Sequence, residues 1–117
     1  MGRATMKIDG HCHCGRIAFE AEVDPETVVL CHCTDCQRLT GSPYRACIGA
    51  SAARFVLRGE PKTYVKIVAS GARRRQAFCG DCGAPIYSCA AENPETYNLR
   101  VGTINQRAAF SPPRRQI

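Results

Sequence analysis

Tryptophan is missing from this sequence, and aromatic residues of all kinds make up only 7% of it. A chain so poor in large rings can build only a thin core, and small domains with thin cores depend on a cross-link or a metal. Apolar runs are short as well. None approaches the roughly 20 residues that a membrane-spanning helix needs, which excludes a helical membrane protein. The stretch Met1 to Asp9 has no apolar region of the signal-peptide kind, and position six holds Met rather than the Ser or Thr of a myristoylation signal. Repeats, low-complexity stretches and linkers are absent. At 117 residues the expectation is one domain, residues 1–117, soluble and cytoplasmic.

What the sequence has in quantity is cysteine. There are nine, Cys12, Cys14, Cys31, Cys33, Cys36, Cys47, Cys79, Cys82 and Cys89. Most sit in C-x-C and C-x-x-C clusters, a spacing that suits chelation of one ion and suits structural disulfides poorly. Clustered thiols without a signal peptide point to a reducing compartment. They also change the meaning of the formal charge of +6. A four-thiolate zinc site carries −2 and a three-thiolate site −1, so two filled sites would bring the sum to about +3. The basic balance is therefore a weak argument for nucleic acid, and neither nucleic acid nor a membrane is expected as a partner.

The patterning is mainly β. Arg16 to Val23 alternates, with Ile17, Phe19, Ala21 and Val23 on one face. Val28 to Leu30 runs into Cys31, and Tyr44 to Ile48 reads as a further strand. Thr63 to Val68 and Arg73 to Phe78 flank Ala69-Ser70-Gly71-Ala72, a hairpin loop. Pro85 to Ser88 and Tyr97 to Val101 complete the strands. One short helix is predicted over Asp35 to Thr40, capped by Thr34 and ended by Gly41. The tail Ala108 to Ile117, with Pro112-Pro113, reads as irregular.

Two clusters carry the chemistry. Cys12-His13-Cys14-Gly15 and Cys79-Gly80-Asp81-Cys82-Gly83 are tight knuckles about 65 residues apart, each with glycine after its last cysteine. Together they offer Zn2+ its four tetrahedral ligands, which is the pattern of a structural site. Redox-active thiols at Cys79 and Cys82 are the competing reading, and that reading has no use for Cys12 and Cys14. The middle cluster, Cys31-His32-Cys33-Thr34-Asp35-Cys36, offers three thiols. Cys36 falls in the first helical turn, where the helix dipole favours thiolate. Three protein ligands leave one zinc position open for water or substrate. His32 as a fourth ligand would close the site, but neighbours on an extended segment point to opposite sides. An empty site, or a disulfide from Cys36 to Cys31 or Cys33, is the alternative.

The remaining candidates are weaker. Cys47 and Cys89 lie in apolar strands and read as small buried hydrophobes. His11 and His13 read as solvent-facing. Arg73-Arg74-Arg75 reads as an exposed strand face rather than a phosphate site. Arg38, two residues past Cys36, is the basic group nearest the open site in sequence and a candidate for a substrate carboxylate.

These clusters, in this order, resemble the glutathione-dependent formaldehyde-activating enzyme family. The resemblance rests on Gly10-His11-Cys12-His13-Cys14-Gly15, on Cys31-His32-Cys33-Thr34-Asp35-Cys36-Gln37-Arg38 with Gly41-Ser42, and on Phe78-Cys79-Gly80-Asp81-Cys82-Gly83-Ala84-Pro85-Ile86-Tyr87-Ser88. Arg100 to Ile104 is similar to a later strand of the family. The resemblance implies several small coiled antiparallel β-sheets organised around zinc, with one short helix. It is a fold shared with methionine-R-sulfoxide reductases and a guanine-nucleotide-release chaperone. It implies two zinc sites, Cys12, Cys14, Cys79 and Cys82 forming the structural one and Cys31, Cys33 and Cys36 the one linked to activity. The implied reaction is of the carbon–sulfur lyase type and joins the thiol of glutathione to formaldehyde. Members commonly continue past residues 110–115 into a segment with a Trp, and this sequence has none, which predicts a more open pocket or another partner.

Chemistry favours a thiol-and-aldehyde enzyme, since three thiolates already donate to the metal and suit it to holding a thiol rather than activating water. The alternative is a zinc-stabilised binding module, a glutathione carrier or docking domain with the same metal and no turnover. Methionine sulfoxide reduction would need a nucleophile outside the zinc sets, and only Cys47 and Cys89 are left. A nucleic-acid ribbon would need more exposed aromatics than Tyr64.

Overall fold

The structure, a computed structural model, describes residues 4–113 and 115–117. Met1 to Arg3 and Arg114, and the readings that touch them, lie outside the described residues. Ten strands and one α-helix follow in the order β1 (Met6–His11), β2 (Ala18–Val23), β3 (Val29–Cys31), α1 (Thr34–Thr40), β4 (Arg45–Ser51), β5 (Phe55–Arg58), β6 (Lys62–Ile67), β7 (Arg73–Phe78), β8 (Pro85–Ala90), β9 (Thr96–Arg100) and β10 (Arg115–Gln116) among the described residues. They form a three-stranded sheet, β1-β2-β5, and a seven-stranded sheet, β10-β3-β4-β9-β8-β7-β6. The pairing is antiparallel apart from β10 beside β3.

The core lies between the sheets and follows from period-two alternation. β2 turns Phe19, Ala21 and Val23 inward, all buried. The large sheet answers with a row of register partners, Ala77, Tyr87, Leu99 and Ile48. The few aromatics are spent together here. Phe55 sits 6.1 Å from Phe19 and 4.6 Å from Tyr97, and Tyr97 meets Tyr87 edge-on at 4.9 Å. Gly10 makes the sheets' approach possible at one end, since a Cβ there would overlap the Thr103 carbonyl oxygen and the Phe19 ring.

The opposite face of the large sheet is polar, and it positions the site. The next row of register partners reads Tyr64, Gln76, Ser88 and Asn98. One step further, Arg100 pairs with Cys47, and Arg45 pairs with Cys31. Helix α1 crosses this face, tied to β6 by the ion pair of Asp35 with Lys66 at 3.1 Å. Gln76, Ser88 and Arg100 are the buried polar residues among those described, and all three lie on this face.

The fold class and the sequence-predicted strands agree with this architecture. β1, β5 and β10 are additions. The tail predicted as irregular instead places Arg115–Gln116 alongside β3. The Ile117 N–H donates to the Leu30 carbonyl at 2.8 Å and the His32 N–H to the Ile117 carbonyl at 2.6 Å. Helix α1 is capped by Cys33 rather than Thr34, because the Cys33 sulfur accepts the Cys36 N–H. Gly41 ends it with φ of 68°, as a left-handed cap requires.

Candidate metal centre

Cys12 and Cys14 lie on the turn between β1 and β2, and Cys79 and Cys82 on the turn after β7. Both turns fold by the same local rule. The Cys12 carbonyl accepts the Gly15 N–H and the Cys79 carbonyl accepts the Gly83 N–H, with φ of 84° at Gly15 and 80° at Gly83. Such turns aim backbone donors at sulfur, and Ile17 N–H reaches Cys12 at 3.3 Å while Asp81 N–H reaches Cys79 at 3.4 Å. Arg16 and Asp81 join the two knuckles at 3.0 Å. The four sulfurs lie within 4.8 Å of one another. Cys14 is 3.6 Å from both Cys12 and Cys79.

Cys31, Cys33 and Cys36 form the second group, their sulfurs also within 4.8 Å of one another. β3 carries Cys31, the helix cap is Cys33, and Cys36 is one turn into α1. Cys31 and Cys36 are buried while Cys33 is exposed, so the group opens toward solvent on the Cys33 side. Cys31 and Cys33 are 3.5 Å apart.

The spacing tests whether these residues fit zinc. Four sulfurs at ~2.3 Å from a tetrahedral ion would be about 3.8 Å apart. The sulfur contacts of both groups sit close to that and far from the ~2.05 Å of a disulfide. All nine cysteines are free thiols. The donor sets fit.

Electrostatics point the same way. Sulfurs this close cannot all carry charge without a cation, so they polarise into low and high thiols. In the four-sulfur group the N–H groups of Ala84 and Cys14 bring Cys82 down to about 6. On Cys14 the Arg16 N–H pulls downward, but burial and the three other thiols win and push it up to about 12. In the three-sulfur group the backbone N–H and thiol of Cys36 hold Cys33 down to about 7, with Lys66 adding to the pull. Burial, then the sulfurs of Cys31 and Cys33, push Cys36 up to about 12. The thiol favoured as thiolate is therefore the cap, Cys33, and not Cys36 as its place in the first helical turn predicts.

The other candidates fall away from the sulfurs. His32 turns outward, where Nε2 meets Gln116 Oε1 at 2.9 Å and the ring lies against Tyr44. His11 and His13 are exposed, and Cys47 and Cys89 are buried, as expected. Of the arginine run, Arg73 pairs with Glu92 at 3.0 Å, and Arg75 donates to the Ala91 carbonyl at 2.7 Å. Arg74 and Arg75 are half-buried, so the run is not a free basic strip. Arg38 is exposed on a groove beside α1 with Leu39 and Tyr64. Arg100, buried, and Arg45, half-buried with its Nε and Nη1 enclosed, bring two guanidinium groups to the same face as the three sulfurs, a pairing the cysteine motifs do not announce. Alternation in β9, with Leu99 facing the core and Asn98 and Arg100 opposite, is the signal that could have found Arg100.

Residues 7–117 match the family described as glutathione-dependent formaldehyde-activating enzyme. The chain belongs to that family. The match takes in both cysteine groups and all of the strands except the first residue of β1. A crystal structure of a Rhodobacter sphaeroides protein, a structural genomics target, is similar over 93% of this chain and 99% of that one. Its TM-score is 0.68 and its identity 22%, a likeness of fold. No curated protein matches the chain significantly. No helix among the described residues is long and apolar enough to cross a membrane.

Proposed function

We propose that the chain is one zinc-binding domain with two centres, and that it acts on the adduct of glutathione and formaldehyde as a carbon–sulfur lyase-type enzyme. Cys12, Cys14, Cys79 and Cys82 supply a closed, structural set. Cys31, Cys33 and Cys36 supply an open one. The single observation that carries the reading is the trio itself: three sulfurs within 4.8 Å, with no histidine or carboxylate joining them among the described residues, and one of the three facing solvent. Cys31, Cys33 and Cys36 would hold zinc there, and the ion would supply the charge that keeps an incoming thiol ionised at neutral pH.

The chain's own residues supply the rest. Cys33, exposed at the helix cap, marks the side from which a thiol enters. Arg45, across the ladder from Cys31, offsets the surplus negative charge of three thiolates and favours the ionised form of Cys36. In the reaction the thiolate sulfur attacks the aldehyde carbon. A C–S bond forms, the C=O π bond opens, and the oxygen takes a proton from water to give the hydroxymethyl thioether. The reverse releases aldehyde and thiol. A reducing cytoplasm suits nine free thiols and holds glutathione in quantity.

A second reading, a zinc-stabilised glutathione carrier without turnover, is favoured by the absence of a histidine or carboxylate from the three-sulfur group among the described residues. Zinc content and exchange kinetics separate the two. Wild type is expected to carry about two zinc ions per chain and Cys36→Ser about one. Exchange of labelled formaldehyde with S-hydroxymethylglutathione, followed by NMR, should accelerate with wild type and not with Cys36→Ser. Two zinc ions without acceleration would leave the carrier, and one zinc ion in both proteins would remove the open site.

A further inference from the structure

Arg100 is a buried cation that no carboxylate meets among the described residues; the opposite charges acting on it are the thiols of Cys47 and Cys36. It is 6% exposed. Its Nη1 makes two long contacts, to Ser88 Oγ and to the Asn98 carbonyl, each at 3.4 Å, and its Nη2 donates to Gln76 Oε1 at 3.0 Å. Its Nε–H is buried and has no partner. None of the ion pairs among the described residues involves it. Guanidinium groups removed from water are ordinarily matched by a carboxylate or phosphate, and one left to neutral partners is costly to the fold. Burial lowers Arg100 to about 10 and the like charge of Arg45 adds to this, which still leaves it cationic at neutral pH.

A cavity of about 420 Å3 opens beside it. It is lined by Leu39 and Thr40 of α1 and, from the sheet, by Tyr64, Gln76, Phe78 and Arg100. The volume is in the range of small-ligand pockets, which are mostly apolar with a few placed polar groups. The cavity is also a neighbour of the three sulfurs. Thr40 follows Cys36 by one helical turn and its hydroxyl donates to the Cys36 carbonyl at 2.7 Å. Arg100 pairs across the ladder with Cys47. Arg45, two residues along the same strand and on the same face, pairs with Cys31. Arg45 too has two buried N–H groups, at Nε and Nη1, without a partner.

We propose that Arg100, steadied by Gln76, is the receptor for a carboxylate of the substrate, held in the cavity between α1 and strands β6 to β8. A guanidinium fork matches a carboxylate in geometry as well as charge. The inference deepens the reading of the three-cysteine group as a thiol site. It selects for thiols that carry a carboxylate at a distance from sulfur and against simple alkyl thiols.

The test uses the zinc-loaded chain and two probes without a free thiol, S-methylglutathione and its dimethyl ester, with affinity read by calorimetry. Wild type is expected to bind the acid at least tenfold more tightly than the ester. Equal affinity in wild type overturns the proposal without any variant. Arg100→Met should abolish the preference while its melting temperature holds or rises, because a costly buried charge is removed. A preference kept in Arg100→Met, or a fall in melting temperature with affinity unchanged, makes Arg100 merely structural. Should Arg100→Met not fold, Arg100→Lys keeps the charge, loses the fork, and is expected to cut the preference several-fold; an intact preference there overturns the proposal. The thiol-site reading fails separately. If glutathione leaves the visible spectrum of the cobalt-substituted protein unchanged, no thiol reaches the metal, whatever the two probes do at Arg100.

Discussion

Cys33 and Cys36 are three positions apart and have opposite tendencies. The helix cap draws Cys33 down to about 7, and burial drives Cys36 up to about 12. A metal must take both as thiolates, so binding at this group releases the Cys36 proton throughout the range from pH 6 to 8 and the Cys33 proton below about pH 7. Both releases act in one direction: affinity rises with pH, and displacement of the Cys33 proton steepens the rise below about pH 7. Competition for zinc against a chromophoric chelator from pH 6 to 8 measures this. The expected slope is at least one decade of affinity per pH unit, and a flat profile would contradict it. The grouping of the sulfurs into two sets that could hold a metal was readable from C-x-C and C-x-x-C spacing, since that spacing holds whatever the surrounding fold. Their individual ionisation was not, because it depends on which backbone N–H each sulfur meets.

At the scale of elements, strands with an apolar face were legible and strands with a polar face were half-legible. β2 announces itself through Phe19, Ala21 and Val23. β1 is hidden because its inward positions are Met6, Ile8 and Gly10, and the last has no side chain to carry the alternation on. Gly10 is needed for the close approach of Phe19 and Thr103. Gly10→Ala is therefore expected to destabilise the protein by about 3 kcal/mol, at the upper end of ordinary overpacking. The melting temperature would fall by about 10 °C, and thermal unfolding with zinc held in excess would show it. Arg73 to Gln76 in β7 illustrates the other half. Its polar residues read as solvated from sequence, yet Gln76 is buried on the face that α1 crosses, and Arg74 on that face and Arg75 on the opposite one are half-buried. Polar alternation reports that two faces differ. It does not report that a helix arrives to cover the second one.

For the whole molecule, the two cysteine groups do different mechanical work. The four-sulfur group brings a turn of the small sheet against a turn of the large one, so a metal held there would tie the two sheets together. The three-sulfur group fastens α1 to the end of β3, within a single sheet. Loss of a ligand should therefore have unequal effects. Cys79→Ser is expected to abolish cooperative unfolding or lower the melting temperature steeply. Cys36→Ser should keep the cooperative transition and the far-ultraviolet circular dichroism of wild type. Calorimetry of both variants checks this, and equal losses would mean the sheets do not depend on the knuckles. The 65-residue separation of Cys14 and Cys79 also bears on how the chain reaches its fold. Cys79 and Cys82 can capture an ion locally, after which the distant pair has only to close a loop, at an entropy cost that grows slowly with length. A nascent chain without that tether must bring two sheets together by non-local pairing alone, the slow route. Its apolar faces then stay open to other chains for longer. With a metal held at the four-sulfur group, ion supply during synthesis would govern how much of the protein escapes aggregation, before any question of activity arises.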